Sequence, residues 1–93
     1  MTTIRMLEGS VLSEKVYGGD VTIIMDFNTR VSGCTFKGNV TLKGTRRVSR
    51  AKPTASNWLR FPVFEGNTVH GTLTVEESWS GVLRGNKIVR GDA

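Results

Sequence analysis

Five bases, Lys43, Arg46, Arg47, Arg50 and Lys52, fall close together, and Trp58 and Arg60 follow them. Guanidinium groups match phosphate oxygens two at a time, and an indole offers a stacking face to any base. The cluster therefore suits sequence-tolerant engagement of a polyanion: a nucleic acid, a nucleotide or an acidic protein surface. Between Asp26 and Glu65 the chain carries eight bases and no acid, whereas the rest holds five bases and eight acids, so the net charge of +5 is regional. A solvated charged loop with Trp58 packed in a core would use the same residues differently.

Other reactive side chains make no catalytic set. His70, the sole histidine, has no sequence-local carboxylate or nucleophile. Cys34, the sole cysteine, can form no internal disulfide, and beside Gly33 and Phe36 it reads as a small buried side chain in a strand. One histidine and one cysteine cannot complete a zinc tetrad. Glu76 and Glu77 are adjacent, so a strand sends them to opposite faces and spoils an acid–base pair. Gly38 to Gly44 lacks the Gly-Lys-Ser/Thr ending of a phosphate loop. The expectation is a non-enzymatic protein without metal or cofactor.

The elements that must hold the basic cluster are strands. Val21, Ile23, Met25 and Phe27 alternate with Thr22, Ile24, Asp26 and Asn28, the period of a pleated strand with one buried face. Short apolar runs follow at Cys34 to Phe36, Val40 to Leu42, Trp58 to Val63, Leu73 to Val75, Val82 to Leu83 and Ile88 to Val89, separated by glycines. No window of helical length shows helical periodicity free of a conflicting strand pattern.

A Gly-(Asn/Asp) pair recurs at Gly19-Asp20, Gly38-Asn39, Gly66-Asn67 and Gly85-Asn86; the first and last intervals are equal and the middle one is nine longer. Recurrence at a fixed period implies one supersecondary unit used repeatedly. If each copy begins a coil, equivalent positions stack at about 4.8 Å. Asp20, Asn39, Asn67 and Asn86 then form one polar ladder, and Phe36, Phe64 and Leu83 one internal column. Lys37, Glu65 and Arg84 alternate in charge outside. The longer interval puts a nine-residue excess in the second coil, and composition assigns that excess to Arg46–Asn57, a basic loop.

The apolar-x-Gly-Asn recurrences over Gly19 to Gly91 resemble those of right-handed parallel β-helices of the pectate-lyase-like and phage tailspike-like kind. The resemblance implies a short β-helix, or β-solenoid, with coils of about 19 residues and one loop insertion; it carries over no catalytic residue. A compact antiparallel β-barrel or sandwich is the alternative, because Gly-Asn is also a hairpin turn. That reading pairs Leu83 with Ile88 well, but it sets Phe36 against Thr41 and Arg84 beside Lys87.

The chain thus reads as one all-β domain, 1–93, with residues 1–18 an N-terminal cap or oligomer contact, 19–91 the repeat region and 46–57 the insertion. Neither a signal-like leader nor a run of roughly 20 apolar residues is seen, which suggests the cytoplasm. Open solenoid ends suggest a homo-oligomer, with Trp79 at a contact or in the core. The expected function is polyanion binding by Lys43, Arg46, Arg47, Arg50, Lys52, Trp58 and Arg60, in a phage or mobile-element accessory protein acting on host nucleic-acid machinery. The alternative is a structural β-helical oligomer such as a phage particle or fibre component.

Overall fold

A computed structural model describes residues 1–89; the repeat glycine Gly91 and the end of the 19–91 region lie outside the described residues. The chain is an all-β solenoid of parallel strands, so the antiparallel alternative does not hold. Each coil contributes one strand to each of three four-stranded sheets. The first sheet stacks β1 (Thr2–Met6), β4 (Val21–Met25), β7 (Val40–Gly44) and β10 (Leu73–Val75). The second holds β2 (Val11–Ser13), β5 (Arg30–Ser32), β8 (Val63–Glu65) and β11 (Val82–Arg84). The third holds β3 (Val16–Tyr17), β6 (Thr35–Phe36), β9 (Thr68–Val69) and β12 (Lys87–Ile88).

Alternation decides what enters the core. Val21, Ile23 and Met25 point inward and are fully or almost fully buried, while Thr22 and Ile24 face outward. Stacking then builds apolar rows: Ile4, Ile23, Leu42 and Val75 in the first sheet, Leu12, Val31, Phe64 and Leu83 in the second, Tyr17, Phe36, Val69 and Ile88 in the third. Each fully buried Val, Leu, Ile or Phe contributes about 1.5–3 kcal/mol, which these short strands need because none is stable alone. Phe36 and Phe64 belong to different rows, not to the single column expected, yet their rings stack across the core with centroids 5.9 Å apart.

The Gly-Asn recurrence resolves into two corners. Gly19-Asp20, Gly38-Asn39 and Gly71-Thr72 stack at one, where Asp20 Oδ1 accepts from Asn39 N at 2.9 Å and Asn39 Oδ1 from Thr72 N at 2.8 Å. Gly33-Cys34, Gly66-Asn67 and Gly85-Asn86 stack at the other, where Asn67 Oδ1 accepts from Cys34 N at 2.9 Å and Asn86 Oδ1 from Asn67 N at 3.0 Å. Backbone φ near +65° at Gly33, Gly66 and Gly85 explains glycine at the second corner. The single Asp20–Asn39–Asn67–Asn86 ladder is therefore corrected to two ladders on different edges.

Register also corrects the insertion. Val21 pairs with Val40, but Val40 pairs with Leu73, so the coil between those last two is the long one. Residues 45–62 join β7 to β8, where residues 26–29 suffice between β4 and β5, an excess of 14 rather than nine. The middle Gly-Asn interval understated it by measuring from one corner to another. Residues 1–18, expected as a cap or contact, contain a complete first coil paired to the second in full register. Cys34 is buried as expected but sits at a corner between β5 and β6, not in a strand.

Candidate functional site

Residues 45–62 leave the solenoid at one corner and return to it, and their own apolar side chains fix their path. Thr45 caps a five-residue helix, α1 (Arg46–Arg50), its hydroxyl accepting from Val48 N at 3.4 Å. Val48 is fully buried against Phe27 and Phe61, with Ala51 beside them, in a small second core outside the coils. Phe27 and Phe61 meet edge to face with centroids 5.3 Å apart. Trp58–Arg60, expected within a strand, forms a 3-10 turn, because Arg60 N and Phe61 N bond back to Asn57 O and Trp58 O. Thr54 and Asn57 close the preceding bend through Asn57 Oδ1, which accepts from Thr54 N at 2.6 Å. Asn28 N donates to Arg60 O at 2.7 Å, tying the segment to the second coil.

The seven expected binding residues do not share one environment. Arg47 Nη1 lies 3.0 Å from Glu8 Oε1 and 3.7 Å from Asp26 Oδ2, with its guanidinium 5.5 Å from the Phe27 ring centre. Its charge is balanced. Arg60 also lies over Phe27, at 5.2 Å. Lys43, on the outer face of β7, pairs with Glu76 at 3.7 Å. Arg46, Arg50 and Lys52 are exposed and have no ion-pair partner among the described residues.

Arg46 and Arg50 stand at i and i+4 on α1, so one helix face carries two like charges side by side. Mutual repulsion there is relieved by any anion that both guanidiniums can share. Trp58 is 45% exposed and Leu59 74%, which removes Trp58 from the core and leaves its ring reachable. The buried tryptophan is Trp79, whose Nε1 meets Met25 Sδ at 3.3 Å.

A cleft of about 270 Å³, not evident from the residue pattern, lies between the insertion and the second sheet, lined by Val11, Asn28, Thr29, Arg30, Leu59, Phe61 and Val63. Leu59 had no signal of its own, since it lies within an apolar run that reads as strand. Arg30 at this cleft is paired: Glu65 lies 3.3 Å from its Nη1 and 2.8 Å from Arg84 Nε. The hydrogen bond from Arg84, then the charge of Arg30, hold the Glu65 carboxyl below its ordinary range.

His70 is exposed and Cys34 buried, with its Sγ 3.6 Å from Ser32 O. Burial pushes the Cys34 thiol up, the opposite of what a nucleophile needs. No group of three or more His, Cys, Asp or Glu suited to a metal occurs among the described residues. No helix among them is long and apolar enough to cross a membrane. No protein family, curated protein or solved structure matches this chain.

Proposed function

We propose that the chain is a non-enzymatic binding protein whose insertion engages a polyanion, with single-stranded nucleic acid favoured over an acidic protein surface. The observation that carries this reading is Arg46 and Arg50 on one face of α1, unpaired among the described residues, with Lys52 close behind and the exposed Trp58 ring on the same segment. Paired arginines supply backbone affinity and an accessible indole supplies a stacking platform, which an acidic protein surface does not require. Arg47, tied to Glu8 and Asp26, anchors the insertion rather than contacting the ligand. Lys43, held by Glu76, adds long-range attraction. A cytoplasmic phage or mobile-element accessory role is the setting this reading suggests, in keeping with the resemblance of its coils to tailspike-like repeats.

Fluorescence anisotropy with a labelled single-stranded oligonucleotide at several salt concentrations tests it. Affinity is expected to fall steeply with salt, and the slope of log K against log salt to shrink by about 0.7 for each phosphate no longer neutralised in an Arg46→Gln/Arg50→Gln/Lys52→Gln variant. Trp58→Ala should cost about 1–3 kcal/mol of binding at constant slope. Salt-independent binding, or an unchanged slope in the triple variant, overturns the proposal.

A further inference from the structure

The first and last of the described coils expose inward-facing side chains that neighbouring coils bury elsewhere. Val75, Leu83 and Ile88 occupy core rows, yet each is 40–45% exposed because no described coil lies beyond β10, β11 and β12. At the opposite end Ile4, Leu12 and Tyr17 are only partly buried. Each end also presents one outer line of backbone groups from its edge strands.

The same inter-coil bonds repeat along the molecule and specify what would continue them. Arg30 N, Val63 N and Val82 N each donate to the preceding coil, at Ser10 O, Thr29 O and Pro62 O. Thr35 N, Thr68 N and Lys87 N donate in the same sense to Lys15 O, Cys34 O and Asn67 O. In the first sheet the sense is reversed: Thr2 N, Val21 N and Val40 N donate to the following coil, at Asp20 O, Asn39 O and Thr72 O. One further step brings Val11 N and Val16 N of another copy to Gly81 O and Asn86 O, and Leu73 N to that copy's Met1 O.

We infer that the last coil of one copy stacks on the first coil of a second copy, head to tail and in the register of the internal coils. Val75 then covers Ile4, Leu83 covers Leu12 and Ile88 covers Tyr17, so the three central core rows run on apolar across the junction. Thr74 meets Thr3, extending the outward row of Thr3, Thr22, Thr41 and Thr74. Glu76, the residue after Val75, falls opposite Arg5, the residue after Ile4, and adds an attraction between unlike charges. A two-fold contact between like ends has none of this. It reverses strand direction, and at least two of the three sheets then meet an unlike sheet, which breaks the apolar rows. The head-to-tail contact is heterologous and does not close on itself, so growth is open-ended. Only three short strands meet, which makes each junction small and its association weak.

Sedimentation velocity on the full chain over a concentration series tests the inference independently of any nucleic-acid binding. The weight-average mass is expected to stay monomeric at roughly 10 μM and to rise continuously past the dimer between roughly 0.1 and 1 mM, as small interfaces require. Leu83→Asp should weaken association at least tenfold. Because that substitution also risks disturbing the last coil, Arg5→Glu and Glu76→Arg provide a second arm on exposed side chains. Each should reduce assembly alone, and an equimolar mixture of the two should restore it, since junctions between the two variants then join opposite charges. A mass that remains monomeric to roughly 1 mM, a plateau at the dimer, or a mixture no better than its components overturns the proposal.

Discussion

Replacing Asn67 with alanine should destabilise the protein more than any other change in the two polar ladders. Asn67 is 1% exposed; its Oδ1 accepts from Cys34 N, and its Nδ2 donates to Val31 O at 3.0 Å and Asn86 Oδ1 at 3.2 Å. Removing the amide strands the buried Cys34 N–H, which costs about 1–3 kcal/mol, and takes a side-chain donor from Val31 O, about 0.5–1.5 kcal/mol more, so the expected loss is about 1.5–4.5 kcal/mol. A domain of this length has about 5–14 kcal/mol in total. Asn39→Ala removes an exposed acceptor for Thr72 N, and should cost only about 0.5–1 kcal/mol because water replaces it. Asn67→Asp keeps the acceptor for Cys34 N but turns an acceptor toward Val31 O and Asn86 Oδ1, so it should be as damaging as alanine. Urea denaturation followed by far-ultraviolet circular dichroism, with the m-value held as a check on two-state behaviour, gives all three values. If Asn67→Ala costs no more than Asn39→Ala, burial does not govern the ladders and the reasoning fails.

Two further outcomes follow from local geometry. Gly38→Ala should cost about 1–3 kcal/mol, since a Cβ there would meet Asp20 Oδ1 at 2.6 Å and Gly19 C at 2.7 Å, whereas Gly19→Ala points into open space and should be neutral or slightly stabilising in thermal melts. The Cys34 thiol has a folded pKa above its unfolded value of about 8.5, so the fold favours the neutral thiol. That contribution is complete below about pH 8.5 and declines as pH rises through the folded value; Cys34→Ala should flatten the alkaline slope of stability between about pH 8.5 and the onset of Tyr17 ionisation, and an unchanged slope would contradict it.

The coil length was readable because the period-2 alternation of Val21 to Met25 and the equal intervals from Gly19 to Gly38 and from Gly66 to Gly85 are properties of sequence alone. The assignment of corners was not. Gly38-Asn39 and Gly66-Asn67 look alike as residues, but they differ in φ and in the direction their amides bond, and neither property is written in residue type. Arg46, Arg50 and Lys52 could be picked out by composition, whereas the neutralisation of Arg47 and Lys43 depends on Glu8, Asp26 and Glu76, which belong to other coils. By alternation alone Phe27 is one more inward strand residue. It instead faces the insertion, because a corner breaks the alternation that predicts direction.

Residues 45–62 occupy a corner that each of the two preceding coils bridges with four residues, and strand register is the same on both sides of the excursion. Segment length at this corner is therefore uncoupled from the lattice of coils, and loop-closure entropy rises by only about 0.6 kcal/mol for each doubling of length. The corner behaves as an exchangeable cassette. Provided that Phe27 is given a replacement partner for Val48 and Phe61, other sequences of quite different length and charge could be carried there on the same scaffold.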